Sequence, residues 1–466
     1  MRVAGAMLSA VLLVLAGCMP TPVPLTGALL VLQASCASPC TYWFEYWADG
    51  TTRIAITPDR RSAGGEISET ISGLAPDTVY RTRFCSADFC AGVSGAPSLP
   101  GVIPDPGDLS ATRNYRTAGP GTVATTDLGR PLSEADTATR PISRDGGLSA
   151  AWSATESLWL FGDTSQRNGP VFLAGTTAAG GAYARGSVPT GLREVPTPPA
   201  AHPSGQTGPA PFLPAPQGLR ADAQQTCDGF DRYAASWPLG LARLPGKDQL
   251  LIVYAETCVI SQTRMPLQRL VLAVYDPVAN QFLSSATPFA AVPLEAGLPA
   301  AQQLGSPVFG GDGHLYLYAN DVETGDILMA RVGADPASWA DAANYRWWNG
   351  QWTPNPAEAV SVAAVPFAGS VQVADYTATG SHRFAMVVLT GFGVGGFQVL
   401  EASSPAGPWT PTVAGRVPDP CSPVGYGCYA LHGHAELSTD DRLLFSWYSP
   451  TDLDGFAHLR VGSVPW

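Results

Sequence analysis

Apolar and polar positions along this chain alternate with a period of two over short runs, and beyond the N-terminus no amphipathic helical period stands out. Between residues 24 and 117 the runs "GALLVLQAS", "TYWFEYWAD", "TTRIAIT", "GEISETISGL" and "TVYRTRFCS" each fit a strand bounded by turn residues. In "TYWFEYW" the side chains of Tyr42, Phe44 and Tyr46 fall on one face and those of Trp43, Glu45 and Trp47 on the other. One such face supplies the core of a small sandwich. From about residue 141 to residue 466 strand-like runs recur in five clusters, which start at "DGGLSAAW", "AASWPLGLARL", "QLGSPVFGG", "GSVQVADY" and "GHAELS". Each opens with a strand of small residues, continues with an apolar strand and usually adds a third. Small residues suit strands that crowd round a central axis, so the pattern predicts propeller blades. The expected fold is all-β, a β-sandwich followed by a five-bladed β-propeller. Residues 118–140 read as a linker and the Pro-rich tract 188–216 as a surface loop between the first two blades.

Composition supports short strands and turns. The chain of 466 residues carries 50 glycines and 43 prolines, and only 14% of its residues are charged. Its net charge is −12 and Lys247 is its one lysine, so no basic stripe exists for nucleic acid. The N-terminus "MRVAGAMLSAVLLVLAGC" has a charged start and an apolar run too short for a membrane span, as in a secretory signal. Its end, Leu15-Ala16-Gly17-Cys18, resembles a bacterial lipobox. That resemblance implies a signal peptide over residues 1–17, lipidation of Cys18 and a short tether over 18–23. The mature protein is then expected outside the cytoplasm, lipid-anchored to the outer membrane or cell surface. Eight further cysteines form near pairs, Cys36/Cys40, Cys85/Cys90, Cys227/Cys258 and Cys421/Cys428, and an even count in an exported chain reads as disulfides. Local pairing is the simplest connectivity, although Cys36 with Cys90 and Cys40 with Cys85 remains open. None of these spacings sits beside histidines in a zinc pattern.

Two family resemblances follow from quoted motifs. Leu74-Ala75-Pro76-Asp77-Thr78-Val79-Tyr80 resembles the tyrosine corner of fibronectin type III domains, which implies that residues 24–117 are such a spacer or binding module. The motifs Asp145-Gly146-Gly147-x-Ser149, "LWLFGDT" from Leu158 to Thr164, "SSPAGPW" from Ser403 to Trp409 and His434-Ala435-Glu436-Leu437 resemble the five-bladed arabinanase, β-xylosidase and levansucrase superfamily. They are most similar to an uncharacterised bacterial family related to those glycosidases. The resemblance covers residues 141–466 and implies three acidic residues pointing into a funnel from the inner strands of the first three blades. An inverting glycosidase of this kind sets its acid and base roughly 6.5–9.5 Å apart, with room for a water.

Asp145 stands where the base would stand. It is either a pocket carboxylate or a turn residue before Gly146-Gly147. The inner strands expected in blades two and three, "SWPLGL" and "GSPVFGG", bring no carboxylate, so the usual triad is incomplete. Asp163 and Glu436 are the further catalytic candidates, and Asp231, Glu256 and Asp321 are other acids that stand in reserve. His432, His434 and Glu436, spaced by two, would share one face of an inner strand. They form either a site for an ion such as calcium at His434 or a His–Glu lock on the last blade. Trp237, Trp347, Trp348 and Trp352 are either core or sugar-stacking aromatics. The expected function is therefore carbohydrate binding or glycoside processing at the cell envelope. The competing classes are a non-catalytic glycan binder and an adhesion or structural protein. The anchor has a direct test: Cys18→Ser should move the protein from the membrane to the soluble fraction, and a variant that stays with membranes refutes anchoring through Cys18.

Overall fold

The structure is a computed structural model that describes residues 21–466 except 72–78, 87–112, 199–207, 418–427, 450–457 and several internal stretches of six residues or fewer. Cys18 and residues 74–78 of the tyrosine-corner motif lie outside the described residues, as do Cys90, Cys421, Asp231 and Asp321, and the side chain of Tyr80 is not among those described. Strands dominate, and among the described residues no helix is long and apolar enough to cross a membrane. The first strand, Thr21–Leu25, starts within the stretch expected as a tether.

The N-terminal part forms two sheets. Thr21–Leu25, Leu29–Cys36 and Gly65–Ile71 make one. Cys40–Ala48 is central in the other, between Val79–Ser86 on one side and Ala55–Ile56 and Arg60–Ser62 on the other, with Arg113–Arg116 next to Val79–Ser86. Both faces of Cys40–Ala48 are covered: Phe44 is fully buried, and Trp43 and Glu45 of the opposite face are nearly so. The buried Glu45 carboxylate accepts from Arg83 Nε at 2.6 Å and from Trp43 Nε1 at 3.3 Å. That pairing offsets the desolvation that would otherwise penalise a charge there.

The remainder is the five-bladed propeller that the alternation predicts. The innermost strands are Leu148–Ala151, Tyr233–Arg243, Gly305–Phe309, Val371–Asp375 and Tyr429–Gly433, each leading a largely antiparallel sheet of four or five strands. The second strand of blade 2, Leu250–Val259, is buried at every position. Its side chains alternate between two cores: Leu251 and Val253 pack towards blade 3, and Leu250, Ile252 and Tyr254 towards blade 1. Leu315 and Leu317 likewise face blade 2, while Tyr316 and Tyr318 face blade 4. Further cores join blades 4 and 5, through residues such as Val387 and Phe445, and blades 5 and 1, through residues such as Leu437, Leu444 and Trp159. Every neighbouring pair of blades thus shares an apolar seam.

Small residues do sit innermost, and for a steric reason. A Cβ at Gly240 would lie 2.6 Å from the Ser306 backbone nitrogen, and one at Gly305 would lie 2.6 Å from the Leu239 carbonyl oxygen. Blades 2 and 3 therefore touch through backbone at the axis.

The stretch 118–140, expected as a linker, contributes three strands to the propeller. Thr122–Val123 adds in parallel to the outer edge of blade 4, Thr126–Gly129 adds antiparallel to blade 5, and Leu132–Ser133 adds in parallel to blade 1. This strap covers three sheet edges in succession, which removes exposed ladder groups. It is fastened by Asp127 to Arg460 at 2.6 Å and by Arg130 Nη1 to His458 Nε2 at 2.6 Å. In the sequence these pieces are too short to read as strands.

Cys227 and Cys258 form a disulfide, as local pairing predicted, closing a separation of 31 residues between the lead-in to blade 2 and its second strand. Cys40, Cys85 and Cys428 are disulfide-bonded too. Because the blade 2–3 contact leaves no room for a side chain, Gly240→Val should destabilise the propeller by roughly 1–3 kcal/mol. A thermal melt reads this directly, and an unchanged melting temperature would contradict the close approach.

Candidate functional site

Asp145 does not begin the inner strand of blade 1; it lies three residues ahead of Leu148–Ala151, at the end of a two-stranded ribbon of Ile142–Arg144 and Thr164–Gln166. The ribbon continues through Asp145 and Asp163. The Asp145 amide donates to the Asp163 carbonyl at 3.0 Å, and the Gly162 amide donates to the Asp145 carbonyl at 2.6 Å. Gly162 permits this crossing, since a Cβ there would sit 3.2 Å from Asp145 Cβ. Gly146 follows with φ +68°, which turns the chain from the ribbon into the inner strand at a conformation that suits glycine. The two carboxylates are therefore brought together by local pairing within blade 1.

Their surroundings differ. Asp163 is pinned. Its Oδ1 accepts from the Gly175 amide at 2.6 Å and from Trp237 Nε1 at 3.0 Å, and its Oδ2 accepts from the Tyr233 hydroxyl at 2.6 Å. Tyr233 and Trp237 belong to the inner strand of blade 2, so Asp163 ties two blades together. Asp145 has one side-chain donor among the described residues, the Tyr429 hydroxyl of blade 5 at 2.7 Å. It keeps part of its surface open to solvent. Burial of the carboxyl raises its pKa from the usual carboxylate range to about 7, with the Tyr429 bond opposing and the Asp163 charge adding to the rise. A carboxyl that is half protonated near neutrality can give or take a proton at pH 7.

His432 Nε2 lies 3.9 Å from where a Cβ of Gly146 would be, so His432 stands next to the loop that carries Asp145. Burial lowers the pKa of His432 to about 4 and, with the neighbouring His432, that of His434 to about 3, so both are neutral at pH 7. The inner strand of blade 5 ends at Gly433, and residues 434–437 form a turn closed by the Leu437 amide on the His434 carbonyl at 3.2 Å. The expectation of His432, His434 and Glu436 on one strand face is corrected accordingly. His434 and Glu436 converge all the same, on Ser149 of blade 1. Ser149 Oγ lies 2.6 Å from His434 Nδ1 and is also hydrogen-bonded to Glu436 Oε1. His434 is fully buried and its ring centroid lies 4.6 Å from that of Trp159. Glu436 is 7% exposed, and burial raises its pKa against the Ser149 bond, a backbone bond and the Arg185 charge. This cluster locks blade 5 to blade 1 at the ring closure.

No group of three His, Cys, Asp or Glu among the described residues is arranged to hold a metal. Calcium takes six to eight oxygen ligands. At His434 the donors are imidazole nitrogens and a carboxylate already engaged by Ser149, which does not fit that ion.

The tryptophans separate. Trp237 stands beside Asp163 as a hydrogen-bond donor with part of its surface exposed. Trp347 is 2% exposed and packs in the core between blades 2 and 3, so its ring is not offered to a ligand. Trp348 and Trp352 pair on the two outermost strands of blade 3, away from the axis, with their ring centroids 5.2 Å apart. Glu256 is paired with Arg269 at 2.6 Å in blade 2. Sequence reasoning missed Tyr233 and Tyr429. Each sits near the start of an inner strand, and nothing in its local pattern marks it.

No protein-family model matches the chain, and no curated protein matches it significantly. Among solved structures, a GH43_1 enzyme from Xanthomonas citri is 12% identical, covering 72% of this chain and 91% of its own at a TM-score of 0.39. A protein of unknown function from Dyadobacter fermentans is 10% identical, covering 96% of this chain and 94% of its own at a TM-score of 0.38. The sensor domain of the anti-sigma factor RsgI4 in Pseudobacteroides cellulosolvens is 14% identical over 23% of this chain and 99% of its own, at a TM-score of 0.16. At these TM-scores none of the likenesses bears on what this chain does.

The raised Asp145 pKa has a consequence for stability. Relative to the unfolded chain, whose Asp titrates near 3.9, the native state holds this proton up to about pH 7. The stability that goes with the protonated carboxyl is full below pH ~4 and is lost as pH rises through the native pKa. Asp145→Asn cannot ionise and still accepts from Tyr429. The variant should therefore gain melting temperature relative to wild type as pH rises from 4 to 8, and be the more stable of the two at pH 8. A difference that does not change with pH would refute the shift.

Proposed function

We propose that this protein is a carbohydrate-active propeller in which a sugar binds where blades 1, 2 and 5 meet, with Asp145 as the proton-transfer group. One observation carries the reading: a carboxyl poised near pH 7 stands beside a second carboxylate fixed by three donors. Two carboxyl groups in unequal environments are what glycosidic cleavage requires. Asp145 exchanges the proton with the glycosidic oxygen or with the attacking water. Asp163, unable to turn, offers negative charge to the oxocarbenium-like transition state and keeps the Tyr233 and Trp237 edges in place. His432, neutral and half-buried, is a hydrogen-bonding group for a sugar hydroxyl.

We further propose that the propeller works outside the cytoplasm. A lipid on Cys18 would tether it to the cell envelope, and residues 24–117 would serve as a fibronectin type III-like spacer. The sequence motifs at Cys18 and at Leu74 to Tyr80 support this part of the reading.

A non-catalytic glycan-binding role is favoured by one specific feature: the inner strands Tyr233–Arg243 and Gly305–Phe309 contain no acidic residue. Hydrolysis assays decide between the two. Purified protein screened on arabinan, xylan, fructan and aryl-glycosides should show activity whose pH profile breaks near 7, and Asp145→Asn should lower kcat by about 100-fold or more while the fold is retained. Full activity in the variant removes Asp145 from the mechanism, and glycan binding without turnover by wild type selects the binding role.

A further inference from the structure

Large apolar side chains that stand open to solvent are few among the described residues: Leu128, Phe172, Val278, Leu283 and Val360. Phe172 is the aromatic one, and half of its surface is exposed. A single exposed aliphatic side chain needs no explanation. Phe172 differs from the others in its place. Its ring centroid lies 5.3 Å from that of Tyr233 at an interplanar angle of 77°. The Tyr233 hydroxyl in turn donates to Asp163. Phe172 is also held through the backbone, because the next residue, Leu173, exchanges two hydrogen bonds with Thr164 at 2.7 and 3.0 Å, directly after Asp163. An exposed aromatic side chain thus stands one ring away from Asp163.

The edge-to-face contact with Tyr233 leaves half of the Phe172 surface open to solvent, and so available to a ligand. A pyranose or furanose presents a face of C–H groups that packs on an aromatic plane, while its hydroxyls remain free for polar partners. We infer that Phe172 is a stacking subsite for a second sugar ring, adjacent to the one placed at Asp145 and Asp163. The protein would then select oligosaccharides over single sugars. This inference rests on the carbohydrate reading given above.

Affinity measured by calorimetry tests it, with arabino-, xylo- and fructo-oligosaccharides of one to four units as probes and Asp145→Asn as the background that prevents turnover. With the parent Asp145→Asn protein, affinity should rise from one unit to two. Adding Phe172→Ala should lower affinity for the longer probes by about tenfold, the effect of losing one aromatic contact. Affinity for the single sugar should stay within about twofold, and Phe172→Trp should restore the preference for length. Equal affinity of the parent and Phe172→Ala proteins for every length overturns the subsite and leaves the carbohydrate reading standing. Equal loss for one unit and for four places Phe172 in the primary site and also overturns it. A parent protein that binds none of the probes overturns both. Because Phe172 is half exposed, its removal should leave the melting temperature nearly unchanged, which separates lost binding from lost folding.

Discussion

The alternation of side chains along each second strand governs the molecule. A strand such as Leu250–Val259 has no solvent face, because odd and even positions enter two different cores. Each blade can then be stable only between two neighbours, and five blades must close on one another. The constraint extends inward. Where the seams meet the axis, only backbone and the smallest side chains fit, as Gly240 and Gly305 show. It extends outward too, since the strap of Thr122–Val123, Thr126–Gly129 and Leu132–Ser133 covers edges that the ring leaves open.

Closure between blades 5 and 1 concentrates polar chemistry. Apolar packing holds most of that seam, through Trp159, Leu437 and Leu444, but its inner end is the Ser149, His434 and Glu436 cluster. Tyr429 lies on the same inner strand of blade 5 and reaches Asp145. On the other side of blade 1, Tyr233 and Trp237 reach Asp163. The two carboxylates are adjacent in blade 1, yet each accepts side-chain hydrogen bonds from a different neighbouring blade. The ring must therefore be closed for the pair to have its unequal environments, which makes fold integrity and site chemistry one requirement.

Much of this was legible in the chain. The five small-then-apolar clusters gave the blade count because each blade repeats the same packing problem. The Cys227–Cys258 pairing followed from local spacing. Asp145 and Asp163 stood out through the motifs that contain them, and the glycines of those motifs prove necessary where the ribbon crosses and turns. The rest depended on contacts distant in sequence. Nothing near Tyr429 reports that it reaches a carboxylate 284 residues away. The strap strands are too short for periodicity to register. The period-two reading of His432, His434 and Glu436 failed because the strand ends at Gly433, and the turn then brings His434 and Glu436 to Ser149 by another route. Trp347 and Trp348 looked alike in "YRWWNGQW", but adjacent strand positions face opposite ways, so one is in the core and the other is half-exposed.

The central claim is that closing the ring buries the Asp145 carboxyl enough to leave it half protonated near neutrality. A carbon-13 titration of aspartate carboxyls, with the Asp145 signal assigned by its loss in Asp145→Asn, measures this directly. The account predicts a midpoint near pH 7 for Asp145. A midpoint near 4, where an unperturbed aspartate titrates, would contradict it.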